Sequence, residues 1–217
     1  MVKNLVNYKY EESLNCYYSK RLLHKLLLLN KYKTNKIDFN QVTKAIYYAK
    51  KYHSGQKRKT GELFYTHTLE VAYMVSDYLF RTDIIVTSIL HDCIEDTLLT
   101  KEIIIKEFGH KIANQVEDLT RIKKDYKISA VEMVKILYMQ KKDDLLLIKL
   151  FDRLHNMQTV RAKSLEKIWQ TTFETLQIFL ALAVYLKIPK LVKQLEKHCL
   201  NVIFNYEILP NRMLANN

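Results

Sequence analysis

The chain is poor in the residues that turn a backbone, with three glycines and two prolines in 217 residues. β-Sandwiches, barrels and doubly wound sheets need such residues in number, so this scarcity argues against all three. Cysteine is also sparse: Cys16, Cys93 and Cys199 are an odd set, far apart in sequence. That spacing excludes a disulfide framework and the paired-cysteine zinc motifs, and it reads as reduced thiols. No long apolar run exists, and the most apolar stretch, Ile178 to Leu186, is too short to span a bilayer. Met1 to Asn15 carries charges and lacks the apolar core of a signal segment. The expectation is a soluble, cytoplasmic protein with no membrane partner.

Apolar residues and lysine are abundant. Hydrophobic residues make up 48% of the chain, enough for a real core. The net charge is +12, but lysines are spread along the whole chain with Asp and Glu between them. A basic arm would need a run of one sign, so the charge reads as a solvated surface and no nucleic-acid partner is expected.

Apolar spacing predicts helices almost throughout, which makes the fold class all-α. A leading helix is expected over Tyr8 to Asn30, with Leu22, Leu23, Leu26 and Leu27 on one face. Asp38 or Asn40 caps the next, which closes near His53-Ser54-Gly55. Residues 57 to 65 form a turn with room for a small β-hairpin. Further helices are expected from His67, over Ile84 to Thr97, over Thr100 to Phe108, over Ala130 to Gln140 and over Asp143 to Val160. Leu165 to Leu186 is the longest candidate, and Pro189 opens a last helix to about Phe204. The expected organisation is a helical extension over 1–37, a main domain over 38–210 and a tail over 211–217.

The chemistry concentrates in His91-Asp92-Cys93-Ile94-Glu95-Asp96-Thr97. On one helix, His91, Asp92, Glu95 and Asp96 would share an arc of roughly 140°. Three carboxylates on one face are costly unless a cation neutralises them. A His-Asp pair can give one nitrogen and one oxygen to a divalent metal, leaving Glu95 and Asp96 for proton work. A His-Asp dipeptide alone is a weak signal. A second segment strengthens it, because Lys149, Asp152, Asn156 and Thr159 would share an arc of roughly 80° on another helix. Asp152 can add an oxygen ligand there, while Lys149 and Asn156 offer donors to phosphate or sugar. His67 can add a second imidazole. Arg58 and Lys59, on the turn beside Gly61, can stack on a base or grip a phosphate. Each segment also has a plainer use, as a solvated turn, a salt-bridged helix or a structural histidine. His53, His155, His24, His110 and His198 keep that structural reading.

Three ordered motifs together resemble the hydrolase half of the RelA/SpoT alarmone enzymes, a branch of the HD phosphohydrolases. Residues 53 to 62, HSGQKRKTGE, followed by His67, resemble the family's H-x-G-Q-x-R-K-x-G-E-P-Y-x-x-H. Residues 91 to 97 are similar to H-D-x-x-E-D-T, and residues 149 to 157, KLFDRLHNM, to K-L-A-D-R-L-H-N-M. Phe108-Gly109, Leu119-Thr120 and Glu174-Thr175-Leu176 fall in the same order. The resemblance implies an HD-domain helical bundle holding one Mn²⁺, with other divalent ions open on ligand type. It implies hydrolysis of the 3′-pyrophosphate of guanosine tetra- and pentaphosphate to GDP or GTP and pyrophosphate. By position, His67, His91, Asp92 and Asp152 would ligate the metal, and Glu95 and Asp96 would orient and deprotonate water. Arg58, Lys59, Lys149, Asn156 and Thr159 would line the substrate pocket. Leu63, Phe64, Gln158, Lys142, Asp144, Leu180, Ala181, Val184 and Tyr185 depart from the family pattern. None is a ligand position. The alternatives are an HD phosphohydrolase for another nucleotide and a catalytically impaired alarmone-binding remnant. A hydrolase-only form is expected, without alarmone synthesis.

Overall fold

The structure is a computed structural model that describes Tyr10 and residues 13–123 and 126–214. The element order is α1 (Tyr17–Tyr32), α2 (Phe39–Tyr52), α3 (Phe64–Val75), α4 (Thr82–Leu90), α5 (Cys93–Asp96), α6 (Lys101–Phe108) and α7 (His110–Leu119). A two-stranded antiparallel ladder follows, β1 (Ile122–Lys123) with β2 (Tyr126–Lys127). The chain continues through α8 (Ala130–Met139), α9 (Asp143–Gln158), α10 (Leu165–Glu174), α11 (Leu180–Tyr185) and α12 (Pro189–Leu214). The all-α expectation holds.

The helix starts follow local chemistry. Asp38 Oδ1 accepts from the amides of Asn40 and Gln41, and Thr100 and Ser129 cap α6 and α8 in the same way. Gly109, at φ +87°, ends α6 and turns directly into α7.

Several boundaries differ from the sequence reading, each for a visible reason. The leading helix begins at Tyr17, where Cys16 Sγ caps it by accepting from the Ser19 amide; residues 8, 9, 11 and 12 lie outside the described residues. Helix α3 begins three residues before His67, which places that histidine a full turn inside. The stretch Ile84 to Thr97 is two helices, broken at His91 and Asp92. Leu165 to Leu186 is interrupted by a π-helical segment, Thr175–Phe179. The final helix runs ten residues beyond Phe204. Over 57 to 65 there is a single antiparallel bridge, Lys57 to Leu63, and the short ladder lies instead at 122–127.

The chain divides into two compact units, residues 1–151 and 152–217, with the boundary inside α9. In the first unit α4 is central. Its residues from Ile84 to Leu90 are all buried, as expected of a helix that is apolar around its whole circumference. Leu22 and Leu26 of α1, Val42 and Ile46 of α2, Leu69 of α3, Ile104 of α6 and Val116 of α7 complete the core. Two of the positions that depart from the family pattern find local partners: Lys142 bonds Asp118 at 2.6 Å, and Asp144 bonds Arg81 at 2.7 Å. In the second unit Leu191, Leu195, Cys199 and Val202 recur along one buried face of α12. Phe179, Leu182 and Ala183 supply further buried apolar surface in that unit. Arg153, also buried there, donates to the Thr171 carbonyl and to Glu174 and lies 4.1 Å over the Phe179 ring. Among the described residues no helix is long and apolar enough to cross a membrane.

Candidate metal centre

The break between α4 and α5 sets the first two site residues. Helix α4 stops at Leu90, so His91 and Asp92 sit in the connection rather than on the side of one long helix. Asp92 adopts φ −97°, ψ −5°, a sparsely used backbone region where active-site residues are often found. His91 Nδ1 lies 2.8 Å from the Ser88 carbonyl oxygen. A carbonyl only accepts, so Nδ1 carries the proton and Nε2 holds the lone pair. That Nε2 is a buried atom with no hydrogen-bond partner. Asp92 Oδ1 approaches it to 3.1 Å, but two acceptors cannot hydrogen-bond to each other. A buried nitrogen lone pair left in this way is costly unless something accepts it.

His67 contributes the second imidazole from inside α3. Its Nε2 is 3.7 Å from Asp92 Oδ2, and its ring is 5.5 Å from that of His91. Ligand atoms of His67, His91 and Asp152 all lie within 4.8 Å of one another, and all three residues are buried. On α9, Asn156 Nδ2 donates to Asp152 Oδ1 at 2.7 Å and orients that carboxylate. Two imidazoles and a carboxylate are donors that can hold a divalent cation, and the orphaned Nε2 fits that use.

Glu95 and Asp96 diverge in their surroundings. The Glu95 side chain is only 7% exposed and accepts from the Arg121 backbone amide and guanidinium, at 3.0 and 2.7 Å. Lys127 Nζ reaches the same carboxylate at 2.8 Å. Burial would raise the Glu95 carboxyl, but these donors outweigh it and hold it at about 2. Asp96 is pushed the other way, to about 6, by partial burial and then by the charges of Asp92 and Glu95.

Arg58 and Lys59 lie on the turn between α2 and α3, which closes through Arg58 N to Glu62 O at 2.8 Å and Gly61 N to Arg58 O at 2.9 Å. Lys149 is buried on α9, and Asn156 sits beside Asp152. Thr159 falls just past the end of α9, with its hydroxyl 3.2 Å from the His155 carbonyl oxygen.

Sequence reasoning missed Arg121 and Lys127, which come from the segment around the short ladder. Nothing local in the sequence links them to Glu95, since the Arg121 contact spans 26 residues and Lys127 lies farther along the chain. Arg121→Ala should lower stability at pH 7 by about 2 kcal/mol, a buried-pair loss reduced for the partial exposure of the arginine. The carboxyl is held below its unfolded value of about 4.5, so this contribution is complete above that pH and disappears as pH falls toward 2. Denaturant melts of both proteins across that range would expose the pattern, and a pH-independent difference would contradict it.

Residues 45–188 match the HD domain family. The chain belongs to the HD-domain family. This HD domain is 36% identical over 168 residues to a GTP pyrophosphokinase of Myxococcus xanthus, covering 73% of this chain and 22% of that one. It is 34% identical over 176 residues to a guanosine-3′,5′-bis(diphosphate) 3′-pyrophosphohydrolase of Aquifex aeolicus, covering 79% and 25%. The chain thus spans about a quarter of the length of these curated relatives. Among solved structures it is similar to a metazoan ortholog of SpoT described as hydrolysing ppGpp, with a TM-score of 0.56. That match covers 73% of this chain and 93% of the other at 20% identity, a likeness of fold. The relatives carry the RelA/SpoT resemblance of this HD domain.

Proposed function

We propose that the protein hydrolyses the 3′-pyrophosphate of guanosine tetra- or pentaphosphate, yielding GDP or GTP and pyrophosphate, with one Mn²⁺ bound. The observation that carries this reading is the His67–His91–Asp152 group, in which His91 Nε2 lacks any hydrogen-bond partner. The relationship to the Aquifex pyrophosphohydrolase supports the choice of substrate.

In this reading His67, His91, Asp92 and Asp152 hold the ion. A divalent ion in such a site acidifies a bound water and draws charge from a phosphoryl oxygen. Asp96 is the group that takes the water's proton, because its raised value leaves it basic near neutral pH. Glu95, fixed by Arg121 and Lys127, stays ionised and orients its surroundings instead of accepting a proton. The water oxygen bonds to phosphorus as the bond to the ribose 3′-oxygen breaks, and that oxygen takes up a proton from solvent. Arg58 and Lys59 grip the base and phosphates, while Lys149, Asn156 and Thr159 face the remainder of the nucleotide.

Purified protein with Mn²⁺ and guanosine tetraphosphate should release pyrophosphate. Activity should rise with pH as Asp96 ionises and then level off, since the protonated acid cannot act as base. The midpoint should fall at or below about 6, because a bound cation offsets the Asp92 charge that raises it. Metal binding without pyrophosphate release, or a clear preference for deoxynucleotides in a substrate panel, would refute the assignment.

A further inference from the structure

Gln56, from the turn that carries Arg58 and Lys59, donates from Nε2 to the Asp96 backbone carbonyl at 2.8 Å. A carbonyl oxygen can only accept, which fixes the orientation of the Gln56 amide. Its Oε1 therefore faces His53 Nδ1, 2.7 Å away, and that nitrogen must carry the proton. His53 Nε2 is then the acceptor, and it lies 3.5 Å from Cys93 Sγ. With its proton on Nδ1, the ring has none to give at Nε2, so the Cys93 thiol is the donor in that contact. The bonds form a directed chain from the Cys93 thiol through His53 and Gln56 to the Asp96 carbonyl. Its two ends are the first and last residues of α5. His53 is fully buried and stacks on Phe64 at 4.7 Å, which makes it a rigid middle member.

A helix of four residues has one turn and little strength of its own, so an outside brace decides where its end points. We propose that His53 and Gln56 are positioning residues that fix the Asp96 end of α5, so that the Asp96 carboxylate meets the water it deprotonates. This rests on the reading of Asp96 as the base. It also ties the substrate-gripping turn to the base through one side chain, while the backbone of that turn is held separately by Phe64 N donating to Gln56 O at 3.0 Å.

The test uses Gln56→Met, which keeps length and neutrality but removes both amide bonds. The last bond is open to solvent, so its loss should lower kcat about tenfold, with KM and Mn²⁺ affinity unchanged. His53→Asn, which can still place an N–H where Nδ1–H stood, should retain more of kcat than His53→Leu at equal folded fraction. Independently of any substrate, the Asp96 and Thr97 amides should exchange with solvent about tenfold faster in Gln56→Met than in the parent. Unchanged exchange at those amides overturns the proposal, as does a fall in metal affinity that accounts for the loss of kcat. If the parent protein hydrolyses no guanosine polyphosphate, the functional reading fails, and the exchange experiment alone decides the brace.

Discussion

Replacing His91 by alanine is expected to abolish tight Mn²⁺ binding and to lower hydrolysis by on the order of 10³-fold or more, since several kcal/mol of charge stabilisation leaves with the ion. The backbone fixes the tautomer of this imidazole. Its Nδ1–H is committed to the Ser88 carbonyl, and its buried Nε2 has no other use. Alanine removes that lone pair and leaves the Asp92 carboxylate beside His67 alone. Calorimetric titration with Mn²⁺ checks the binding half, and pyrophosphate release the catalytic half. Retention of one ion with unaltered affinity would show that His91 is not a ligand. The metal-free variant should fold, because the side chain's only hydrogen bond is a single contact to a carbonyl three residues back.

Arg153→Ala should cost about 3 kcal/mol of stability, with unfolding followed by denaturant melts. The guanidinium is 2.8 Å from Glu174, donates to the Thr171 carbonyl and covers the Phe179 ring. Truncation removes the charged donor of a partly buried carboxylate, leaving it the neutral amide of Gln170 at 3.1 Å, and it strips a cation from the face of a fully buried aromatic ring. Arg153→Lys should recover little, since an ammonium cannot fork to a carboxylate and a carbonyl while stacking flat on the ring. A lysine variant as stable as the parent would contradict this account.

Much of the site was legible because its residues recur at short spacings in three ordered motifs. The family resemblance points to His67, His91, Asp92 and Asp152, and the structure brings ligand atoms of His67, His91 and Asp152 together, with Asp92 near both histidines. The helical class followed from turn-residue scarcity and apolar period. What escaped was set by contacts distant in sequence or by the strain of packing. Ile84 to Thr97 has helical periodicity throughout, so nothing in its pattern marks the break at His91 and Asp92. The π segment at Thr175–Phe179 likewise has no composition of its own. His53 was read as structural for want of neighbours in sequence, and its partners lie in a turn and a helix that only folding brings to it. Glu95 and Asp96 looked equivalent as adjacent acids. Arg121 and Lys127, arriving from elsewhere, make them different.

The interruption between α4 and α5 has a further consequence. Side chains on a continuous helix inherit their bearings from its regular winding, so one inserted residue swings each later one by about 100°. His91 and Asp92 take theirs from a few backbone torsions in a short elbow, with Ser88 as the stop. The exposed face of α6 can therefore vary without re-aiming the pair. The elbow itself has no such latitude.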